Sequence, residues 1–87
     1  MSTPRLSPNG KGIVYISYAN GKSYIILKNL KDNTESIISA FEGVVSAPRF
    51  SPDGKSLLIS HSLGGETNIL SLDLSSKRTK KLLKVQL

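Results

Sequence analysis

The sequence contains no cysteine and no tryptophan, and it has a single methionine and a single histidine. The absence of cysteine excludes disulfides, thiolate metal ligands and a thiol nucleophile. No apolar run approaches the roughly eighteen residues that a membrane-spanning helix needs, so we expect no membrane insertion. The N-terminal residues lack a basic stretch followed by an apolar core, and we therefore expect no signal peptide in this chain.

Candidate catalytic groups are correspondingly few. A single histidine, His61, without cysteine or a carboxylate cluster cannot build a metal site or a catalytic triad. The segment around it, Ser60-His61-Ser62, lacks the Gly-x-Ser-x-Gly pattern that presents a serine nucleophile. The six acidic residues form no pair that suits catalysis, and Asp53 falls in a turn. We therefore expect no catalytic residue, no metal and no cofactor.

The charge is unbalanced, with 12 basic residues against 6 acidic ones and a formal net charge of +6. Such a balance raises the question of nucleic acid or an acidic surface as a partner. Five of the 12 basic residues fall within the last eleven positions: Lys77, Arg78, Lys80, Lys81 and Lys84. No aromatic residue is interleaved with them to stack on bases. Lysines on a terminal strand also discourage edge-to-edge aggregation, and we expect no nucleic-acid binding.

The strongest pattern is an internal repeat with an offset of 44 residues. Residues 3–11, Thr-Pro-Arg-Leu-Ser-Pro-Asn-Gly-Lys, recur as residues 47–55, Ala-Pro-Arg-Phe-Ser-Pro-Asp-Gly-Lys. The offset continues without a gap, so that Gly21 aligns with Gly65. A period in the forties without helical periodicity predicts the blades of a β-propeller.

Each repeat divides into four short strands, which predicts eight strands and no helix. The first two strands are joined by a Ser-Pro-Asx-Gly turn, and the next two by Asn20-Gly21 or Gly64-Gly65, pairs that suit tight hairpins. The predicted strands span residues 4–7, 13–18, 23–30 and 34–39 in the first repeat, and 48–51, 56–62, 67–74 and 78–83 in the second.

The second strand of each repeat is apolar at successive positions, as in Ile13-Val14-Tyr15-Ile16 and Leu57-Leu58-Ile59. A continuous apolar run indicates a strand that is covered on both faces, as in a propeller, where each blade has a neighbour on either side. The predicted fold is therefore all-β, with two four-stranded antiparallel blades of a partial propeller. The predicted boundaries are blade 1 at residues 3–39, a connection at 40–46, blade 2 at 47–83 and a C-terminal tail at 84–87.

The repeat resembles the TolB type of β-propeller repeat. The resemblance lies in residues 47–55, where Ser-Pro-Asp-Gly-Lys follows an aromatic residue, and in residues 69–74, which end in Leu-Asp-Leu. Residues 7–11 and Leu30 match in the first repeat. Repeats of this type occur in the six-bladed C-terminal propeller of the Tol-Pal system family and in the propellers of prolyl-oligopeptidase-like enzymes. The chain is most like the former.

This resemblance implies a non-enzymatic, protein-binding scaffold of the cell envelope, located in the periplasm, whose partner is the peptidoglycan-associated lipoprotein. It also implies that the joint between the blades lies near the mouth of the central channel. The candidate partner-binding residues are therefore Phe41, Glu42, Gly43, Val44, Val45 and Ser46. Two alternatives stay open: the propeller of a prolyl-oligopeptidase-like serine peptidase, and a self-assembling repeat unit without a ligand.

Two blades are fewer than the four to eight with which propellers close. Two apolar faces would stay open, and each would leave about four to six large aliphatic side chains in water. At roughly 1.5–3 kcal/mol per side chain, the lost burial is on the order of 10–30 kcal/mol, against a usual net stability of about 5–15 kcal/mol. We therefore expect a fragment that self-associates, with three copies completing a six-bladed ring.

Overall fold

The computed structural model describes residues 4–85, which form eight β-strands and contain no helix. The strands are β1 Arg5–Leu6, β2 Gly12–Ala19, β3 Lys22–Asn29, β4 Glu35–Glu42, β5 Val44–Phe50, β6 Ser56–Leu63, β7 Glu66–Asp73 and β8 Thr79–Val85. They pair into two four-stranded antiparallel sheets, β1-β2-β3-β4 and β5-β6-β7-β8, which we call blade 1 and blade 2. The predicted all-β fold with two four-stranded antiparallel sheets is confirmed. Nowhere between residues 4 and 85 is there a helix long and apolar enough to cross a membrane.

The connection between the two sheets is much shorter than the predicted segment 40–46. β4 runs on to Glu42 and β5 begins at Val44, so that only Gly43 separates the two strands. β4 continues because its pairing with β3 resumes after a bulge at Ile38. β5 starts early because residues 44–46 pair with β6 before a second irregularity in the register, which falls between Ser46 and Arg49.

The terminal boundaries also differ in part. Strand β8 includes residues 84 and 85, which were predicted to belong to the tail, while residues 86 and 87 lie outside the described residues. Residue 3, the predicted start of blade 1, lies outside them as well. As limits of the repeat unit, 3–39 and 47–83 stay a prediction.

The Ser-Pro-Asn-Gly turn of blade 1 is closed by side chains. The hydroxyl of Ser7 donates to Asn9 Oδ1 at 2.7 Å, and the backbone N–H of Lys11 donates to the same oxygen at 2.9 Å. The N–H of Gly12 donates to Ser7 Oγ at 3.1 Å, which ties the turn to the start of β2. Ser7 and Asn9 therefore stabilise the turn, as expected for residues that hydrogen-bond to nearby backbone in turns.

The Ser-Pro-Asp-Gly turn of blade 2 repeats this arrangement with a carboxylate. Ser51 Oγ donates to Asp53 Oδ1 at 2.6 Å, Lys55 N–H donates to the same oxygen at 2.9 Å, and Ser56 N–H donates to Ser51 Oγ at 3.1 Å. These hydrogen bonds favour the ionised carboxylate, and they hold the pKa of Asp53 below its ordinary value of 3.8. The turn role predicted for Asp53 is confirmed.

The hairpin turns between second and third strands have the predicted conformation. Asn20 and Gly21 have φ of 53° and 75°, and Gly64 and Gly65 have φ of 60° and 83°. Two successive residues with positive φ define the turn whose twist matches that of the flanking strands. The sequence pair therefore specifies the turn locally in both blades.

The apolar core lies between the two sheets. Cross-strand partners share a face, so the buried residues Val14, Ile16 and Ile25 lie together on one side of blade 1, which we call the front face of a blade. On blade 2 the buried residues Leu57 and Ile59 occupy the opposite side of the repeat, which we call the back face. One cluster joins the two faces: Val14, Ile16, Ile25, Ile38, Val45, Leu57, Ile59 and Leu72.

Each blade therefore covers one face and leaves the other open. Among the described residues no further sheet lies on the back face of blade 1 or the front face of blade 2. Ile37 on the former is 64% exposed, and Leu82 and Leu83 on the latter are 50% and 61% exposed. The apolar second strands are thus sheltered on one side only.

We expect Asp53→Asn to preserve the fold and to reduce the loss of stability in acid. A carboxyl group whose folded-state pKa is lowered adds stability above its ordinary pKa, and this stability is lost as the pH falls through the folded-state pKa. The window therefore lies below about pH 4. Asparagine removes this contribution and keeps the acceptor oxygen, as Asn9 does in blade 1.

Urea unfolding between pH 2 and pH 7 measures the effect. The matched control is Asn9→Asp, which should make the acid loss steeper. Asp32 and Asp73, whose pKa values are also lowered, account for the pH dependence that remains in Asp53→Asn. Parallel pH profiles for all three proteins would contradict the assignment.

Candidate functional site

The candidate partner-binding residues form the joint between the blades, and their side chains go to different places. Successive side chains of a strand point to opposite faces of its sheet, so neighbouring residues of the joint differ in burial. Val45 is completely buried and Phe41 is half-buried, and both pack into the core between the blades. Three residues of the joint are exposed: Glu42, Val44 and Ser46. Only these three can meet a partner through their side chains.

Hydroxyl groups from blade 1 hold the backbone of the joint. Ser23 is completely buried, and its hydroxyl donates to the carbonyl of Gly43 at 2.7 Å and accepts from the N–H of Val45 at 2.9 Å. The hydroxyl of Tyr18 donates to the carbonyl of Val45 at 2.6 Å. Because Tyr18 and Ser23 are cross-strand partners, the two side chains act from adjacent positions. Side chains of blade 1 therefore hold the backbone from the carbonyl of Gly43 to the carbonyl of Val45.

Gly43 is the one residue of the joint whose backbone requires glycine. Its φ is +85°, a region that residues with a side chain rarely adopt, and its N–H donates to the carbonyl of Gly21 at 3.0 Å. A Cβ at this position would overlap the carbonyl oxygen of Ser62 and crowd Leu63 Cδ1 at 3.1 Å. Because glycine has no side chain, Gly43 can lie this close to Ser62 and Leu63, and one residue is enough to connect the two sheets.

His61 is part of the contact between the blades. Its Nε2 lies 2.7 Å from the carbonyl oxygen of Glu42, and because a carbonyl only accepts, Nε2 carries the hydrogen. The ring centroid lies 5.2 Å from that of Phe41. His61 thus makes an ordinary structural hydrogen bond across the contact between the blades. Among residues 4–85, no three histidine, aspartate or glutamate side chains lie close enough together to hold a metal ion.

The exposed side chains of the joint lie on both outer faces of the blade pair, with Glu42 beside Lys22 on the back face of blade 1 and Val44 opposite Ser62 on the front face of blade 2. Glu42 Oε1 lies 3.7 Å from Lys22 Nζ, and since both side chains are largely in water, this ion pair contributes little stability. Val44 and Leu63 are each 52% exposed.

Ser23 and Tyr18 were not identified from the sequence. The available signal was two hydroxyl residues that flank the Asn20-Gly21 turn at positions which a hairpin makes cross-strand partners. Serine and tyrosine are common in strands, and only the position of the joint gives these hydroxyls a role.

Comparison with known families gives a match over almost the whole chain. Residues 1–86 match the family model described as the TolB beta propeller domain. The chain is 96% identical over 44 residues to the Tol-Pal system protein TolB of Wolbachia pipientis wMel, an alignment that covers 51% of this chain and 10% of that protein. It is 36% identical over 80 residues to the Tol-Pal system protein TolB of Gluconobacter oxydans (strain 621H), covering 92% of this chain and 18% of that protein.

Solved structures with the same arrangement of blades include a TolB protein and a peptidase. TolB from Acinetobacter baumannii superposes with a TM-score of 0.85 and 37% identity, over 95% of this chain and 21% of that one. The Pyrococcus horikoshii acylaminoacyl peptidase superposes with a TM-score of 0.71 and 27% identity, over 98% of this chain and 14% of that one. The chain thus spans only 10% to 21% of the length of these proteins.

We expect Gly43→Ala to destabilise the fold more than Gly21→Ala. Both glycines have positive φ, at +85° and +75°, so alanine costs roughly 1–2 kcal/mol at either position. At Gly21 a Cβ would meet no atom within 4 Å, whereas at Gly43 it would overlap backbone. We therefore expect Gly43→Ala to lower the free energy of unfolding by at least about 1–2 kcal/mol more than Gly21→Ala, by analogy with overpacked cores. Equal losses in urea unfolding would contradict this account of the joint.

Proposed function

The chain belongs to the TolB beta-propeller domain family, and we propose that it acts as a non-enzymatic, protein-binding part of a cell-envelope scaffold. The observation that carries this proposal is the fixed joint. Ser23 and Tyr18 hold its backbone, while Glu42 and Val44 stay exposed at its surface. A surface held in place before binding loses little conformational entropy when a partner docks.

The proposed partner is the peptidoglycan-associated lipoprotein, and the proposed location is the periplasm. Two curated relatives are Tol-Pal system proteins, which supports a partner from that system. The proposed contact residues are those of the joint. Glu42, Val44 and Ser46 contribute side chains to the contact, and Phe41, Gly43 and Val45 hold them in position.

A second candidate is the propeller of a serine peptidase, which the likeness to the acylaminoacyl peptidase of Pyrococcus horikoshii favours. A non-enzymatic role is better supported, because the curated relatives are Tol-Pal proteins and TolB from Acinetobacter baumannii superposes with a higher TM-score and identity than the peptidase.

We further propose that the chain self-associates through its two open faces, with three copies completing a six-bladed ring. Exposed aliphatic side chains on both faces support this, since Ile37 is 64% exposed on one and Leu83 is 61% exposed on the other. A self-assembling unit without a ligand is the third reading, and it shares this property with the scaffold.

Binding to the soluble domain of the peptidoglycan-associated lipoprotein tests the first proposal. We expect Val44→Asp to weaken binding at least about tenfold in isothermal titration calorimetry, because the aliphatic contact is replaced by a charge. Lys31→Asp is the control, since Lys31 is exposed in the turn after β3, away from the joint, and this variant should bind like the wild type.

Two results would contradict the proposal: no detectable binding by the wild type, or equal losses in the two variants. The solution mass of each protein is measured in parallel, so that a defect in self-association is not mistaken for a defect in binding.

Light scattering tests the proposed ring. We expect a mass near three times that of the 9.4 kDa monomer at high protein concentration. A monomer at every concentration that unfolds cooperatively would overturn self-association, and it would leave the lipoprotein test unaffected.

A further inference from the structure

We propose that copies of this chain associate head to tail, with the front face of blade 2 of one copy packed on the back face of blade 1 of the next. The register is the one that blades 1 and 2 already use within the chain. This inference rests on the self-association proposed above and specifies its surfaces. The occupant of each open face is thus a second copy of this chain.

The front face of blade 2 repeats the front face of blade 1 at the 44-residue offset. The counterparts of the core residues Val14, Ile25 and Ile38 are Leu58, Ile69 and Leu82. Leu82 lies in a bulge of β8, as Ile38 lies in a bulge of β4. The backbone that shapes the covered face of blade 1 is therefore present on the open face of blade 2.

The back face of blade 1 repeats the face that blade 2 buries. The counterparts of Leu57, Ile59 and Leu70 are Ile13, Tyr15 and Ile26. In blade 2 the first two are buried and the third packs against the core, whereas in blade 1 all three are half-buried. The chain thus already contains the contact that its two open faces can form with another copy.

A change of side-chain size on one face is matched on the other. Ser60 stands on blade 2 where Ile16 stands on blade 1, and a groove of about 270 Å³ lies beside it, lined also by Leu58 and Ile69. On the back face of blade 1, Tyr15 stands where blade 2 has the smaller Ile59. In the head-to-tail contact, the larger ring of Tyr15 meets the face that carries this groove.

Charge disfavours the symmetric alternative in which two front faces meet. Arg49 pairs with Leu58 and Lys80 pairs with Ser71, which places both cations on the front face of blade 2. A two-fold contact would bring like charges together, and like charges across a contact are costly. On the back face of blade 1, Glu35 accepts a hydrogen bond from the hydroxyl of Tyr15 at 2.7 Å. Its carboxylate lies opposite Lys28 in the register, so this face carries charges of both signs. Two different complementary faces give a head-to-tail contact, which forms a ring when the rotation closes.

The absence of cysteine makes cross-linking a direct test. Leu58→Cys marks the front face of blade 2, and Ile13→Cys marks the back face of blade 1. With a short bismaleimide, we expect dimers when the two variants are mixed and at least tenfold less product from either variant alone. Lys31→Cys, in the exposed turn after β3, is the control and should cross-link with neither variant.

The outcomes separate the register from self-association itself. Cross-linking of Leu58→Cys with itself, or no product in the mixture while the wild-type mass shows assemblies, would overturn the head-to-tail contact and leave self-association standing. A wild type that is monomeric at every concentration would overturn both. If Ile13→Cys or Leu58→Cys fails to fold, Ile37→Cys and Leu82→Cys mark the same two faces at positions that are 64% and 50% exposed.

Discussion

The front face of one blade packs on the back face of the next, and this contact forms the apolar core of the protein. A single four-stranded sheet of this sequence has apolar residues on both sides, so water on either side leaves apolar surface exposed. Within the chain, this packing buries Val14, Ile16 and Ile25 against Leu57 and Ile59. This packing also determines the path of the joint between the two sheets, and it leaves the back face of blade 1 and the front face of blade 2 open.

The joint shows how a structural connection becomes a candidate binding surface. Its backbone must pass from the outer strand of one sheet to the first strand of the next within one residue, Gly43. Ser23 and Tyr18 satisfy the backbone groups that this crossing would otherwise leave buried without partners. Once the backbone is fixed, strand alternation leaves Val44 exposed beside the buried Val45. The exposed residues are therefore positioned by the same contacts that hold the blades together.

The two repeats share a backbone and differ in the chemistry of their faces. Blade 1 places Ile16 and Leu27 on its front face, and blade 2 places Ser60 and Ser71 at the same positions. The second front face therefore offers less apolar area per contact, and a contact through it is weaker than the one within the chain. The Ser-Pro-Asx-Gly turns have nearly the same hydrogen bonds in both blades, with Asn9 in one and Asp53 in the other. The turn is therefore the part of the repeat whose structure restricts the residue types most.

Three features depend on local residues and could be predicted from the sequence: the all-β fold, the 44-residue period and the hairpin turns at Asn20-Gly21 and Gly64-Gly65. Tertiary structure alone decided the course of the joint, because a bulge such as that at Ile38 shifts the pairing and changes which side chains face the core. A one-residue shift of this kind has no local signal, so the predicted connection 40–46 proved to be almost entirely strand. For the same reason, the burial of Val45 and the role of Ser23 became visible only when the two sheets were packed together.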